Sequence, residues 1–511
     1  MSTETHSAAS SLRTFLEECK AEGDVVEIDL EVDPYLESGA ITRRAYESGS
    51  PMPLINNPKG KDGPDGLFRI LGAPVGVRSN RVERYARFAK SIGLPSNASG
   101  HDIIQKLIAS KRAGPIPSVH VRDAPLKEHK IFGDEIDLFK LPVPQNHERD
   151  GGRYFLTYGL HSVQTPDGKW VNWAITRCMV IGKRQLTGLV DVNQDIGAIW
   201  SMWKAQGKDT PWACALGVPP AAAVASGMPL PKFVNEPDYV GAITGSPMQV
   251  IKCETNDLVV PAQSEVVLEG TISATETAIE GPMGEYHGFL FPAKKAPEPV
   301  FTVNAITYRS NPIVPISVAG RAPDETHTVW ALTICAEILD LLQQHGLPIT
   351  QAWCPYESQA IWYVVQVDRA RLVKMKTTPE KFCRQVGEIV FSSKPGRFVP
   401  KIFLVGDNID PSDLHEVVWA EATKSQPQDS DFFFVGDYPT YKLVPYATYG
   451  LNISEPQAKV VRLCMLPAEF KTLDRPWIEA SFRASYPEEI KSKVLKNWQA
   501  YGYQQQDSAN I

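Results

Sequence analysis

Residues 154–181, YFLTYGLHSVQTPDGKWVNWAITRCMVI, form two apolar, β-branched runs on either side of a TPDG turn. An Asp-Gly pair between such runs signals a hairpin, so two antiparallel strands are expected with Asp167-Gly168 at the turn. Alternation along the second strand puts Asn172, Ala174 and Thr176 on one face and Trp173, Ile175 and Arg177 on the other. An Arg on an apolar strand is costly unless paired, so Arg177 calls for a carboxylate partner. On this ground alone a structural ion pair and an active-site pair are equally open, and periodicity does not put Asn172 and Arg177 in one pocket.

Outward from the hairpin the pattern stays strand-rich from Arg153 to about Val318. MQVIKC, DLVVPA, SEVVLEGTISATET and VFTVNAITYR have the β-branched alternation of a barrel or sandwich. Upstream, Ser11 can cap a helix from Leu12 to about Lys20. A basic helical segment is expected around Arg81 to Leu94, and LFKLPVPQNH (138–147) reads as an extended entry to the next domain. Downstream, a helix is expected from about Thr326 to His345, ended by Gly346 and Pro348. Strand signals at Ala360–Val367 and Lys401–Val405 then alternate with helical ones, and PEEIKSKVLKNWQAYGY closes the chain as an amphipathic helix.

Composition narrows the class. A chain of 511 residues with 43% hydrophobic residues can bury substantial cores and predicts about three domains at ~150 residues each. Net charge is −7 with no basic stripe, which speaks against a nucleic-acid binder. The eight Cys form no C-x-x-C pair, so they suit a reducing, cytoplasmic setting better than a zinc or disulfide framework. MSTETHSAASS has no apolar core and does not read as a secretory signal. Thr210–Pro231 carries no charged residue, but its five Pro exclude a membrane span; a buried, irregular segment is expected there.

Three segments can carry chemistry. In AIEGPMGEYHGFLF (278–291), Gly281, Pro282 and Gly284 make a tight loop that can turn Glu280 and Glu285 toward one point, as acid–base work requires. Two solvated loop acids are the plainer alternative. WVNWAITR supplies Arg177. The charge-free run, with Glu236 just beyond it, exposes backbone amides and carbonyls able to hold a phosphate or an ion; an ordinary connecting loop is the alternative. No G-x-G-x-x-G, P-loop, G-x-S-x-G or H-E-x-x-H motif occurs.

These segments sit in a wider resemblance. AITRR, LFRILGAP, VNWAITR, LTGLV, PWACALGVPPAA, YVGAITG, CETNDLVVPA, SEVVLEG, EGPMGEYHG, GRAPDETHT and WQAYGY occur in one order along nearly the whole chain. The sequence resembles the UbiD-like decarboxylases, and more closely their fungal ferulate/cinnamate branch. The resemblance implies a multidomain α+β fold. Its parts would be an N-terminal α/β domain (1–125), a central split-barrel flavin-binding domain (126–325) and a C-terminal α/β dimerisation domain with a terminal helix (326–511). It implies prenylated FMN with Mn2+ or Mg2+ and K+, a flavin prenyltransferase as cofactor supplier, a small carboxylic acid as substrate, and a homodimer with no membrane association.

By the same resemblance, Arg177, Glu280 and Glu285 stand at a Glu-Arg-Glu network with Glu285 as proton donor. Asn172, Asp195 and Glu236 stand at divalent-metal ligands. Trp173, Ala225, Ser226, Met228 and Glu236 stand at the potassium site. Ala174, Ile175, Thr176 and Gln194 stand along the cofactor, and Lys394 at its phosphate. The chain departs from the pattern in DVNQDIGAIW, where Asp195 replaces a metal-binding His. It also departs in KVVRLCMLP and in an insertion within DYPTYKLVPY; the resemblance implies substrate contacts close to there, so Tyr438 or Tyr441 is expected to reshape the pocket. Loss of CO2 leaves electrons that no side chain can accept, which is the chemical reason for a flavin-type sink. A flavin oxidoreductase with unmodified FMN, a metal-dependent hydrolase and a cofactor-poor binding or assembly protein are the alternatives.

Overall fold

The computed structural model describes residues 7–60, 68–291, 295–436, 438, 446, 458–472 and 477–503. At its centre is a curled antiparallel sheet. In space its path runs from Val171–Ile175 through Leu160–Gln164, Thr210–Leu216, Val266–Glu280, Ala296–Tyr308 and Gln185–Gly188 to Cys178–Val180, with His129–Phe132 added beside Ala296–Tyr308. The hairpin forms as expected, with Leu160 opposite Ile175 and Gln164 opposite Val171. The first and last strands of the path are separated in the chain only by Thr176 and Arg177. Three Cα–Cα steps span at most ~11 Å, so the sheet has to curl until its two ends lie side by side. Register shifts between Glu269 and Gly270 and between Ile272 and Thr277 bend the two longest strands to follow that curl.

The seam is fastened from inside. His161 Nε2 donates to the Thr176 carbonyl at 3.0 Å, and the Thr176 hydroxyl donates to the Leu189 carbonyl at 2.9 Å. Trp212 Nε1 donates to His161 Nδ1 at 2.9 Å, which fixes the ring as the neutral Nε2–H tautomer. Full burial pushes the His161 pKa down to about 3.

Two smaller units flank the barrel. The N-terminal sheet runs Val25–Ile28, Met52–Ile55, Arg69–Gly72, and takes its last strand, Ile313–Ile316, from the chain leaving the barrel. The C-terminal sheet orders Ile349–Trp353, Trp362–Val367, Lys401–Gly406, Lys459–Cys464 and Asp431–Phe434, with its three inner strands parallel. Helix Gly100–Ala113 from the first unit lies against helix Ala331–Gln344 of the last, joined by Lys111–Glu337 at 2.7 Å and Arg112–Asp340 at 2.9 Å. One apolar cluster therefore runs through all three parts, including Ile104, Leu107, Val224, Leu339 and Val365.

Several expectations hold. Ser11 caps helix Leu12–Ala21 by accepting from Thr14 N, and Gly346 adopts φ +75° just past helix Ala331–Gln344. That helix is preceded by one wider turn, Thr326–Trp330. The basic segment is helical only over Ala86–Ser91. The charge-free run is buried but not irregular: it contains strand Thr210–Leu216 and helix Pro220–Ser226. Its prolines stand at Pro211, on the first turn of the helix, or beyond its end, where their missing N–H costs nothing. Among the described residues, no helix is long and apolar enough to cross a membrane.

His161 gives this fold a pH signature. Its folded pKa lies below the ordinary ~6.5, so the stability it contributes is full above that value and is lost as pH falls toward 3. His161→Phe should be about 2–4 kcal/mol less stable than wild type at pH 7.5, through two lost hydrogen bonds. By denaturant unfolding, that gap should narrow by pH 4.5.

Candidate active site

Arg177 sits at the seam, past the end of its strand, and meets two carboxylates there. Nε donates to Glu280 Oε1 at 2.9 Å, Nη2 to Glu280 Oε2 at 3.3 Å, and Nη1 to Glu285 Oε1 at 2.8 Å. Burial alone would lower the Arg177 pKa, but Glu285 and then Glu280 hold it well above the usual value. Both carboxylates are about 5% exposed. Tyr154 donates its hydroxyl to Glu280 Oε1 at 2.8 Å, so that oxygen is held from two sides. Glu280 is the last residue of strand Val266–Glu280, not a loop residue; the expected tight loop begins one position later. Gly281 has φ +86°, and a Cβ on Gly151 would stand 2.2 Å from the Gly281 carbonyl, so both glycines are required where the chain reverses.

Next to this network lies a cavity of about 250 Å3. Asn172, Trp173, Ala174 and Ile175 form one wall. Gln194 and Asp195, at the start of helix Asp195–Lys204, form another, and Ser226, Met228, Glu236, Lys394 and Arg397 complete the polar part. Glu236 accepts from the Trp173 amide at 2.9 Å and from Asn172 Nδ2 at 3.1 Å, and burial pushes its pKa up to about 8. Asn172 Oδ1 and Trp173 Nε1 are buried with no hydrogen-bond partner. An unsatisfied oxygen beside a buried carboxylate is a pair of acceptors without a cation, and hard oxygen donors of this kind suit Mg2+ or Mn2+.

Two cations face that corner. Lys394 Nζ lies 2.5 Å from Asp195 Oδ2 and also donates to the Leu230 carbonyl. Arg397 Nη1 donates to the Asn193 carbonyl at 2.5 Å, while its Nε is buried and unpartnered. Asp195, Glu236 and Glu325 are the carboxylates lining this cavity, and no group of three or more His, Cys, Asp and Glu side chains forms a metal cluster among the described residues. A cation here would need further oxygens, such as those of a phosphate. Arg177 and Glu280 do not line this cavity; Glu285 lines a second, more open one of about 400 Å3 with Arg43, His147, Arg149 and Arg321.

With that geometry in place, the similarity to known proteins is decisive. Residues 16–107, 118–322 and 327–464 match the N-terminal, Rift-related and C-terminal domains of 3-octaprenyl-4-hydroxybenzoate carboxy-lyase, UbiD. The chain belongs to the UbiD family. It is a carboxy-lyase of that family. It is 44% identical over 498 residues to pyrrole-2-carboxylic acid decarboxylase of Pseudomonas aeruginosa, covering 97% of this chain and 99% of that one. It is 43% identical over 503 residues to ferulic acid decarboxylase 1 of Saccharomyces cerevisiae, again covering 97% and 99%. The evolved dimeric form of the UbiD-class enzyme HmfF from Pelotomaculum thermopropionicum, in complex with prFMN, superposes with a TM-score of 0.73. It is 25% identical, with 91% of this chain and 97% of that one covered.

Of the residues anticipated for the UbiD-type site, Asn172, Trp173, Ala174, Ile175, Gln194, Asp195, Ser226, Met228, Glu236 and Lys394 share the first cavity. Thr176 carries the seam hydrogen bonds, and the buried Ala225 carbonyl already accepts from Met228 N at 3.1 Å. Tyr438 packs edge-on against Phe391 and Phe434 and lines neither cavity; Tyr441 lies outside the described residues.

Sequence reasoning missed Tyr154, Arg397 and Lys459. Lys459 is buried and donates to the carbonyls of Gly396 at 2.6 Å and Val399 at 3.2 Å. It thereby braces the turn that carries Lys394 and Arg397, while burial and then Arg397 pull its pKa down to about 7. Only the Tyr154–Glu280 spacing across 126 positions could have flagged Tyr154, and nothing local encodes it. Tyr154→Phe should lower kcat by roughly 10-fold, equivalent to about 1.4 kcal/mol for one hydrogen bond to a charged group. KM should change little, as steady-state kinetics would show.

Proposed function

We propose that the protein catalyses the reversible, non-oxidative decarboxylation of an α,β-unsaturated aryl-acrylic acid of the cinnamate or ferulate type, or of a heteroaromatic or aromatic carboxylic acid, with prenylated FMN as cofactor. The observation that carries this reading is Arg177 held between Glu280 and Glu285, next to a cavity whose wall presents Lys394, Arg397 and an unpartnered Asn172 oxygen. The relatives named above, two decarboxylases and a prFMN complex, support it.

Lys394 and Arg397 would hold the cofactor phosphate. Asn172, Asp195 and Glu236 would share Mn2+ or Mg2+ with it. The carbonyls of Trp173, Ala225, Ser226 and Met228, with Glu236, would hold K+. When bound, the prenylated flavin supplies the electron sink that no side chain offers. Arg177 holds Glu280 and orients Glu285 by charge-assisted hydrogen bonds. Tyr154 fixes the second contact on Glu280. Glu285 gives its proton to the carbon that has lost CO2 and takes one back from water through the open cavity on its far side.

On this reading residues 126–325 bind the cofactor, while 1–125 and 326–511 flank it. The enzyme works in the cytoplasm and relies on a flavin prenyltransferase for cofactor. It forms a homodimer through its C-terminal part. Helix Glu488–Lys496 buries none of its own residues, and Ile490, Leu495 and Ile478 are exposed. Light scattering in solution should give twice the mass of one chain.

The direct test is production together with a flavin prenyltransferase, followed by CO2 release from cinnamic, ferulic and pyrrole-2-carboxylic acids. Glu285→Gln should retain the cofactor and lose at least ~100-fold in turnover, the scale of a general acid. Full activity in that variant would refute the assignment, and an unmodified FMN in the active protein would favour an oxidoreductase. Lys394→Met should weaken flavin binding by ~10–100-fold, as expected for a charged hydrogen-bond donor worth about 1.5–3 kcal/mol, measured by flavin fluorescence. Chelation should release flavin, and Mn2+ should restore its retention.

A further inference from the structure

The carbonyl of Tyr286, the residue following Glu285, is gripped from two directions. His327 Nε2 donates to it at 2.8 Å and Gln359 Nε2 at 2.6 Å. The donors come from different parts of the chain. His327 lies in the wide turn Thr326–Trp330 that leaves the barrel, fully buried, with its Nδ1 3.1 Å from Asp324 Oδ1. Gln359 lies in the C-terminal unit, between strands Ile349–Trp353 and Trp362–Val367.

Gln359 is tied on its other side as well. Its Oε1 accepts from the Ala322 amide at 2.7 Å, and its Nε2 also reaches the Gly320 carbonyl at 3.3 Å. A single side chain therefore joins the C-terminal sheet, the 320–322 linker and the loop bearing Glu285. Gln359 and Ala360 have φ +55° and +56°. Two consecutive side-chain-bearing residues in the left-handed region persist only where the surroundings impose that conformation.

Within the Glu285 loop two backbone bonds are local. Glu285 N donates to Phe289 O at 3.0 Å and Gly288 N to Glu285 O at 2.9 Å. These close the loop on itself, while Gly284 N, donating to Asp150 Oδ1 at 2.9 Å, and Pro282 O, accepting from Gly151 N at 2.7 Å, tie its start to the 150–151 segment. The Tyr286 carbonyl, one peptide away from Glu285, is where the loop is anchored to the C-terminal unit.

We infer that Gln359 and His327 are positioning residues for the Glu285 carboxyl, so that the C-terminal unit sets, through Gln359, where the proton donor stands. The inference rests on the reading of Glu285 as that donor. A carboxyl displaced by a fraction of an ångström would still bind Arg177 but would meet the reacting carbon poorly.

The test compares full-length, cofactor-loaded Gln359→Met and Gln359→Glu with wild type. Methionine keeps the length and removes the donor, so kcat should fall by ~10-fold or more, the scale of a misplaced catalytic group. KM for the acid and flavin affinity should stay within about twofold, since neither contact is touched. Amide hydrogen exchange across 281–291 should rise, while exchange across Val171–Ile175 stays at the wild-type level. Glutamate can donate to the carbonyl only as the neutral acid, so its kcat relative to wild type should recover as pH falls, and methionine should show no such recovery. Wild-type kcat and loop exchange in Gln359→Met would overturn the inference, as would exchange rising equally throughout the protein. An active Glu285→Gln would instead overturn the donor reading, and the loop exchange would still report on the anchor.

Discussion

The candidate active site depends on one buried cation at a covalent constraint. Thr176 and Arg177 are the whole of the link between the strands at the two ends of the central sheet path, so Arg177 cannot drift without opening the seam. A guanidinium in that position costs several kcal/mol in lost hydration unless it is paired. Glu280 arrives at the end of the longest strand and Glu285 five residues later, after a glycine-dependent reversal. Arg177 donates to both acids, and the Tyr154 hydroxyl adds a second donor on Glu280. Losing either acid would strand part of a buried ion network, at a cost of about 3–5 kcal/mol for an uncompensated charge.

The neighbouring cavity has the complementary electrostatics. Asn172 donates its Nδ2 to Glu236 in a buried corner, and that burial raises the Glu236 pKa. Asp195 Oδ2 and Lys394 Nζ stand 2.5 Å apart at the cavity wall. The pair sets a carboxylate and an ammonium side by side, groups that would serve a cation and a phosphate respectively. The bracing of the Lys394–Arg397 turn by Lys459 shows that the C-terminal sheet shapes this corner, just as Gln359 reaches the Glu285 loop.

The sequence was most legible where the physics is local. The Asp167-Gly168 turn, the Ser11 cap and the Gly346 stop each follow from a few neighbouring residues, and the need of Arg177 for a carboxylate follows from burial alone. The family resemblance supplied residues that no periodicity could, such as Asn172 with Glu236, 64 positions apart. What stayed hidden depends on long-range register. Glu280 reads as a loop acid because the glycines and proline beside it are visible, whereas its pairing opposite Ala296 is not. Thr210–Pro231 reads as irregular from its prolines, yet they fall at strand and helix positions that need no N–H. Tyr154, Lys459 and Gln359 act through contacts 126, 63 and 73 residues away.

Decarboxylation by the proposed mechanism exchanges a carboxylate for a proton on the same carbon. The most direct measurement is turnover of a carboxyl-13C-labelled cinnamic, ferulic or pyrrole-2-carboxylic acid by the prenylated-flavin-loaded protein in D2O. The account predicts labelled CO2 and a product carrying one deuterium at the carbon that lost it, without net oxidation of the acid. Absence of CO2 release from every such acid by protein shown by mass to hold the prenylated flavin, or release accompanied by an oxidised product, would contradict it.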